Sequence, residues 1–309
     1  MDVRIACARL RDRVVSAAEA AASIRDGMTV AVGGYTNAGY PKAVARALAA
    51  RKQSGEDFWI RLLSGANDGP LDTLLGEVGV LSWRAPLIES RALAKQVNAR
   101  QVIYVEQQMS KMPRLTRDGA FGDIDVAVVE ALRITEEGYL VPTSSVGMVP
   151  HFLERAKSVI VEINLAQPLA LEGMHDIFLP GFPPDRRPIP LTRVEQRIGT
   201  PYIQVDPEKI RYIVRSDELD ETSPPAESRP TQERVAEHLL DFLSREVPRM
   251  PGGVLPPIQT GFGGLAAAIV QKLGESKFEN LRFFCGVLQE ANMELLASGR
   301  AAAASTGSI

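Results

Sequence analysis

Gly261-Phe262-Gly263-Gly264-Leu265-Ala266 follows the pattern G-x-G-x-x-A, set between an apolar run that reads as a strand and one that reads as a helix. Such a turn offers backbone N–H groups and the positive end of a helix to an anion, whether a phosphate or a developing oxyanion. A dinucleotide fold would also need an acid at the end of the following strand, to hold the ribose hydroxyls. That place is Cys285-Gly286. Phosphate or oxyanion binding is therefore favoured over nicotinamide or flavin, and a purely structural turn is the remaining alternative.

The other reactive side chains are scattered. Thiolate reactivity needs an electropositive setting, which the residues flanking Cys285 do not supply, so it reads as a small buried residue. His151, His175 and His238 are isolated in the chain. His175 and Asp176 are adjacent in an extended stretch and would point to opposite faces, which argues for hydrogen-bonded structural histidines and against a metal site. Neither a G-x-S-x-G elbow nor a recognisable Cys–His pattern occurs.

Elements must position these groups. Ser16 and Glu19 form an S-x-x-E capping box before an Ala-rich helix, and Gly27 suits its C-terminal cap. A strand over "MTVAVGGY" and a helix over "PKAVARALAARK" follow, with Pro41 at the first turn. The unit recurs: a strand at "FWIRLLSG", a helix around "LDTLLGEVGVL", then strands at "QVIYVEQQ", "DIDVAVVEAL", "SVIVEIN" and "KIRYIV". Strands apolar on both faces and separated by helices predict a mainly parallel sheet covered on both sides, an α/β fold. Prolines make residues 179–207 irregular. The acidic, Pro- and Ser-rich stretch "SDELDETSPPAESRP" reads as a linker and puts a domain boundary near Ser228. Beyond it, Thr231 is the expected N-cap of a helix with Val235, Leu239, Phe242 and Leu243 on helical spacing; two strand–turn–helix units and the start of a strand follow. A domain over residues 229–309 is short for an α/β unit and is expected to be incomplete.

The 309 residues are 45% hydrophobic and 24% charged with net charge −3, a globular composition without the basic excess that nucleic acid or an acidic membrane surface attracts. Two cysteines without a C-x-x-C partner favour a reducing compartment. "MDVRIACARLRDRVV" has no apolar h-region, and the longest apolar run, "GGLAAAIV", is too short to span a bilayer. The expectation is a cytoplasmic protein with no nucleic-acid or membrane partner.

The phrases "SAAEAAASIRDGMTVAVGGYTNAGYPKAVARAL", "DIDVAVVEALRITEEGYLVPTSSVG", "AKSVIVEINLAQPLALEGMHDI", "PLTRVEQRIGTPYIQVDPEKI" and "PPIQTGFGG" together resemble the acetyl-CoA hydrolase/transferase family, in its succinyl-CoA:acetate and acetate CoA-transferase branch. The resemblance implies two open α/β domains, residues 1–228 and the first part of a second over 229–309, with acyl-CoA bound in the cleft between them. It implies no permanently bound cofactor: a coenzyme A thioester is the substrate and a small carboxylic acid the other reactant. It also implies a homo-oligomer, or a partner chain that completes the second domain. In the family a strand-end glutamate attacks the thioester to form a mixed anhydride. Released CoA thiolate then attacks the glutamyl carbonyl, giving an enzyme–CoA thioester that a second acid collects.

Carried over by position, the CoA-contacting loop corresponds to Gly261 and to Gly263, Gly264, Leu265, Ala266, Ala267 and Ala268, with Gly264 and Ala267 where the family has asparagines. The glutamate's phrase, E-V-x-Q-D/E, here reads Gly286-Val287-Leu288-Gln289-Glu290, so a glycine stands at the nucleophile's position. Three activities follow as expectations. The first is CoA transfer; the second is acyl-CoA hydrolysis, with water at Gly286 and Glu290 as a weak substitute base. The third is a non-catalytic role in binding CoA or another subunit.

Overall fold

A computed structural model describes residues 3–66, 70–221 and 227–307. The centre of the expected linker, residues 222–226, lies outside them. The chain divides into two compact units: the described parts of residues 1–179 and 199–222, and those of 180–198 and 223–308. The irregular segment 180–198 thus clusters with the second unit, although it precedes the last strand of the first.

Among the described residues the first unit carries nine strands: β1 (Thr29–Val32), β2 (Ile60–Ser64), β3 (Leu81–Ala85), β4 (Ile103–Tyr104), β5 (Ile124–Ala131), the short β6 (Arg133–Ile134) and β7 (Leu140–Val141), β8 (Ala156–Asn164) and β9 (Ile210–Ser216). Its helices are α1 (Ala17–Ala22), α2 (Lys42–Gln53), α3 (Pro70–Glu77), α4 (Arg91–Asn98), α5 (Met112–Arg117) and α6 (Val149–Arg155). Seven strands form one sheet in the order β4-β3-β2-β1-β5-β8-β9, with every pairing parallel. The α/β expectation holds, and its cause is visible in the core. Successive residues of one strand feed opposite layers: Val126 and Val128 pack with Val30, Leu62 and Val44, while Ala127 and Val129 pack with Ala31, Leu63 and Phe152. Each such valine or leucine, removed from water on both sides, contributes about 1.5–3 kcal/mol.

Several expected element bounds are corrected, beginning with α1, which ends at Ala22 with Ser23 and not Gly27 as its C-cap. The helix placed around "LDTLLGEVGVL" ends at Glu77, and Leu81 opens β3, a strand that the sequence reading passed over. Val80, Leu81 and Trp83 are buried, so burial against β2 takes the end of the apolar run into the sheet. The "QVIYVEQQ" strand shrinks to the two residues of β4, at the sheet edge. The capping box is as expected: the Ser16 hydroxyl accepts from the Glu19 N–H at 3.2 Å, and the Ser16 N–H donates to the Glu19 carboxylate at 2.9 Å.

The second unit holds α7 (Pro230–Glu246), α8 (Gly264–Glu275), β10 (Leu281–Cys285), α9 (Glu290–Ala297) and β11 (Ala301–Thr306). β10 and β11 pair in parallel, and a single parallel bridge joins Ile258 to Phe283. Helix α7 is capped by Arg229 and starts at Pro230, so Thr231 lies inside its first turn. Proline fits the first helical position, where no N–H is needed, and the Arg229 N–H is satisfied by Gln232 Oε1 at 2.8 Å. Val247, Val270, Leu273, Phe283, Cys285 and Leu295 form this unit's core. Among the described residues no helix is long and apolar enough to cross a membrane.

Candidate functional site

The glycine-rich turn connects the stretch through Ile258 to α8. The Ile258 N–H donates to Arg282 O at 2.8 Å, and its carbonyl accepts from the Phe284 N–H at 3.0 Å, which fixes the turn beside the carboxyl end of β10. Gly263 caps α8 at φ 101°, a conformation that side chains rarely tolerate. The first helical N–H groups, of Gly264, Leu265 and Ala266, have no acceptor among the described residues. They form the positive end of the helix dipole. The N–H of Gly263 is not open in this way: it donates to Gln289 Oε1 at 3.0 Å, while Gln289 Nε2 donates to Gly261 O at 3.1 Å. One amide therefore staples the turn to the segment that follows β10. Sequence reasoning missed this role, although Gln289 stood in the quoted strand-end phrase.

Gly264 has a packing reason to be glycine. A Cβ there would lie 2.5 Å from the Glu227 carbonyl oxygen and 2.8 Å from Gln232 Oε1, so an asparagine would require the backbone to move. Leu265 is exposed, Ala267 half-buried, and Ala266 and Ala268 are buried.

Cys285 is interior. Its Sγ lies 3.5 Å from both the N and Oγ1 of Thr260 and 3.8 Å from Ile258 O, with no cationic side chain among these partners. Gly286 follows it, half-buried and with φ outside the left-handed region. A Cβ at this position would meet no described atom within 4 Å beyond its chain neighbours. The strand end thus opens onto space. Glu290 is exposed on the first turn of α9, where a negative charge suits the helix dipole.

The first unit holds a second polar constellation that sequence reasoning did not single out. Lys42, at the start of α2, is buried; its Nζ lies 2.9 Å from Glu130 Oε2 and 2.7 Å from Asp220 Oδ1, and donates to Tyr40 O at 3.1 Å. Glu130 also accepts from Thr143 Oγ1 at 2.7 Å and Asn164 Nδ2 at 3.0 Å. Asp220 accepts from the Gly39 N–H at 3.0 Å, Ser144 Oγ at 2.5 Å and Gln167 Nε2 at 3.2 Å. Glu162, the register partner of Glu130, accepts from the N–H groups of Lys42, Ala43 and Val44, each at 3.0 Å. A carboxylate of the chain itself thereby fills the anion position at the α2 N-terminus. Burial works against the charge on Lys42, but Glu130 and Asp220 outweigh it and hold its pKa above the ordinary lysine value. Burial raises the Glu130 carboxyl above the usual range, and Lys42 and Thr143 offset only part of that. A glutamate inside each of two predominantly apolar strands, "VVEA" and "VEIN", was the available signal.

The three histidines lie apart in the fold. His175 Nε2 lies 2.7 Å from Thr143 O, and Asp176 accepts from the Gly199 N–H at 2.7 Å, so these neighbours do serve different partners. His238 is exposed on α7. No cluster of metal-ligating side chains occurs among the described residues. His151 is buried with Nδ1 unpaired among the described residues. Burial, then the nearby Arg117 charge, lowers its pKa from 6.5 to about 4. The unfolded chain therefore binds a proton that the folded chain refuses, and stability falls as pH drops from the unfolded value towards the folded one. Urea unfolding is expected to show a loss of about 2 kcal/mol between about pH 7 and about pH 4.5 that is absent in His151→Gln. Equal pH slopes for the two proteins would refute this assignment.

A parallel seven-stranded α/β unit joined to a smaller one, with a glycine turn at a strand end, defines a class of fold. The crystal structure of RipA from Yersinia pestis shares it, with a TM-score of 0.68 over 94% of this chain and 60% of that one at 17% identity, a likeness of fold alone. Residues 5–215 match the acetyl-CoA hydrolase/transferase N-terminal domain. The chain is 37% identical over 310 residues to a succinyl-CoA:acetate CoA-transferase of Clostridium kluyveri, covering 99% of this chain and 57% of the relative. It is 34% identical over 287 residues to an acetyl-CoA hydrolase of Kluyveromyces lactis, covering 89% of this chain and 54% of the relative. The chain belongs to the acetyl-CoA hydrolase/transferase family and spans little more than half the length of these relatives.

Proposed function

We propose that the glycine turn and the end of β10 receive the thioester of a short acyl-CoA, and that the chain transfers CoA to a small carboxylic acid. The observation that carries this reading is the unfilled space at Gly286, beside a turn that Gln289 clamps and next to open N–H groups at the start of α8. Those N–H groups suit the negative charge that develops on a thioester carbonyl under attack.

With glycine at position 286 the chain offers no carboxylate there, so the acid itself attacks. Its carboxylate oxygen adds to the thioester carbonyl, the C–S bond breaks, and a mixed anhydride and CoA thiolate form. The thiolate then attacks the acid's own carbonyl, making the new thioester and releasing the first acyl group as a carboxylate. Both reactants must be bound together. The same space at Gly286 admits a water, which favours hydrolysis as the second reading.

Initial rates of CoA exchange between acetyl-CoA and succinate are expected to give intersecting double-reciprocal lines, with no hydroxylamine-sensitive enzyme–CoA adduct. Parallel lines or an adduct would overturn the direct route. Thiol release without exchange would assign hydrolysis, and CoA binding with neither product would leave only a binding role.

A further inference from the structure

The glycine turn is tied to β10 at its entry, and beyond that point by one side chain. Ile258 is bridged to Phe283, and Thr260 N and Oγ1 each lie 3.5 Å from Cys285 Sγ, so residues 258–260 follow the strand. From Gly261 to Gly263 the only hydrogen bonds to the segment after β10, among the described residues, are the two made by the Gln289 amide. They fix the peptide planes on either side of Phe262, which is itself exposed. Gly263 then sits at φ 101° and ψ −177°, a region open to glycine alone. Its carbonyl accepts the first bond of α8, from the Ala267 N–H at 3.0 Å. The direction in which Gly264, Leu265 and Ala266 present their N–H groups is therefore set at Gly263, and Gly263 is held by Gln289.

Gln289 is held in turn. Its N–H donates to Asn292 Oδ1 at 3.0 Å, in the first turn of α9. Asn292 is fully buried, and its Nδ2 has no partner among the described residues. A buried amide with one end unsatisfied costs stability. Packing alone does not account for an asparagine at this place; the bond to Gln289 does.

We propose that Gln289, held by Asn292, is a positioning residue of the thioester site. It acts through Gly263, aiming the N–H groups at the start of α8 towards the end of β10, and does not itself touch substrate. The inference rests on the reading that this turn receives an acyl-CoA thioester, and it names the residues that preorganise it. Donors fixed before charge develops need no rearrangement in the transition state, so their misalignment slows turnover and leaves ground-state binding alone.

CoA exchange between acetyl-CoA and succinate, with thiol release alongside, is measured for three variants. Gln289→Met keeps the length of the side chain and removes both bonds to the turn; Asn292→Leu releases only the Gln289 N–H; the third combines them. Hydrogen exchange at the Gly263 amide is followed by NMR in the same proteins. Gln289→Met is expected to lower kcat roughly 10²-fold, as a small misplacement of reacting groups does, with KM for acetyl-CoA unchanged. Its Gly263 amide should exchange faster. Asn292→Leu should lower kcat by a smaller factor, and the double variant should fall no further than Gln289→Met alone, because both act through one turn. Glu294→Gln, exposed on α9, is the neutral control. Gln289 is half-buried, so its variant carries the test should the buried Asn292→Leu fail to fold. A Gln289→Met protein with the parental kcat, or with its loss confined to KM, overturns the positioning role and leaves the proposed transfer standing. Additive losses in the double variant overturn the part given to Asn292. An unaltered protein that neither exchanges CoA nor releases thiol overturns the proposed function, and the positioning role with it.

Discussion

Gly286→Glu is expected to raise the rate of CoA exchange by roughly 10³-fold, because a covalent nucleophile splits one hard exchange into easier steps and its loss in other enzymes costs at least that much. The geometry permits the substitution. No described atom outside the chain neighbours lies within 4 Å of a Cβ at this position, and the backbone is not in the glycine-only region, so the new side chain enters space and leaves the packing alone. It would leave the end of β10 next to the turn at Gly261 to Gly264, whose unsatisfied helix N–H groups can stabilise both a carboxylate and the oxyanion it creates. Two further signatures distinguish a true nucleophile from a nonspecific gain. Double-reciprocal lines should change from intersecting to parallel, and a hydroxylamine-sensitive enzyme–CoA adduct should appear by mass. Gly286→Ala, which fills part of the same space without a carboxylate, should show neither. A Gly286→Glu protein that melts like the parent yet gains neither rate nor adduct would show that Gly286 is not where the reacting carbonyl lies.

The first unit was legible where local chemistry and burial agree. Ser16 and Glu19 announce a helix start whose geometry is complete within four residues. "DIDVAVVEAL" and "SVIVEIN" are predominantly apolar because both faces of β5 and β8 are buried, and that is readable without knowing the neighbours. β3 was not legible, because its run "VLSWRA" follows a helix after only a short turn and mixes serine and arginine into a buried strand. Arg84 is tolerable there because Asp72, from α3, pairs with it at 2.9 Å with both side chains fully buried, and the Ala85 carbonyl accepts a further hydrogen bond from it. No rule of spacing yields that partnership. The candidate site divides in the same way. The turn at Gly261 to Ala266 and the glycine at position 286 were visible as pattern and as departure from pattern. The Gln289 staple and the close approach of Gly264 to Glu227 arise from residues brought together only by folding.

The largest effect on stability is expected from Lys42→Met. Lys42 Nζ is the one cation within 3 Å of both the Glu130 and Asp220 carboxylates among the described residues. The Glu130 side chain is 0% exposed and that of Asp220 14%, so water cannot replace the lost charge. Methionine fills the volume of the lysine stem, which leaves electrostatics as the main change. Breaking a buried ion pair from one side costs about 3–5 kcal/mol, because the remaining charge is left uncompensated. For a unit of this size that corresponds to a fall in Tm of roughly 6–20 °C. The register of Glu130 with Glu162 makes the case worse, since a third carboxylate sits on the adjacent strand. Glu130→Gln in the same protein should restore part of the loss: a neutral amide keeps an oxygen for the Thr143 hydroxyl and no longer repels Asp220. The pH dependence gives an independent sign. Burial already raises the Glu130 carboxyl, and without Lys42 its folded-state pKa moves further above the unfolded value. A group shifted in that direction destabilises the folded state at neutral pH, and protonation relieves the penalty as the pH falls through the folded pKa. The difference in unfolding free energy between parent and Lys42→Met should therefore narrow from about pH 7 to about pH 5. A constant difference across that range, or no rescue by Glu130→Gln, would mean that the lysine acts through packing and not through its charge.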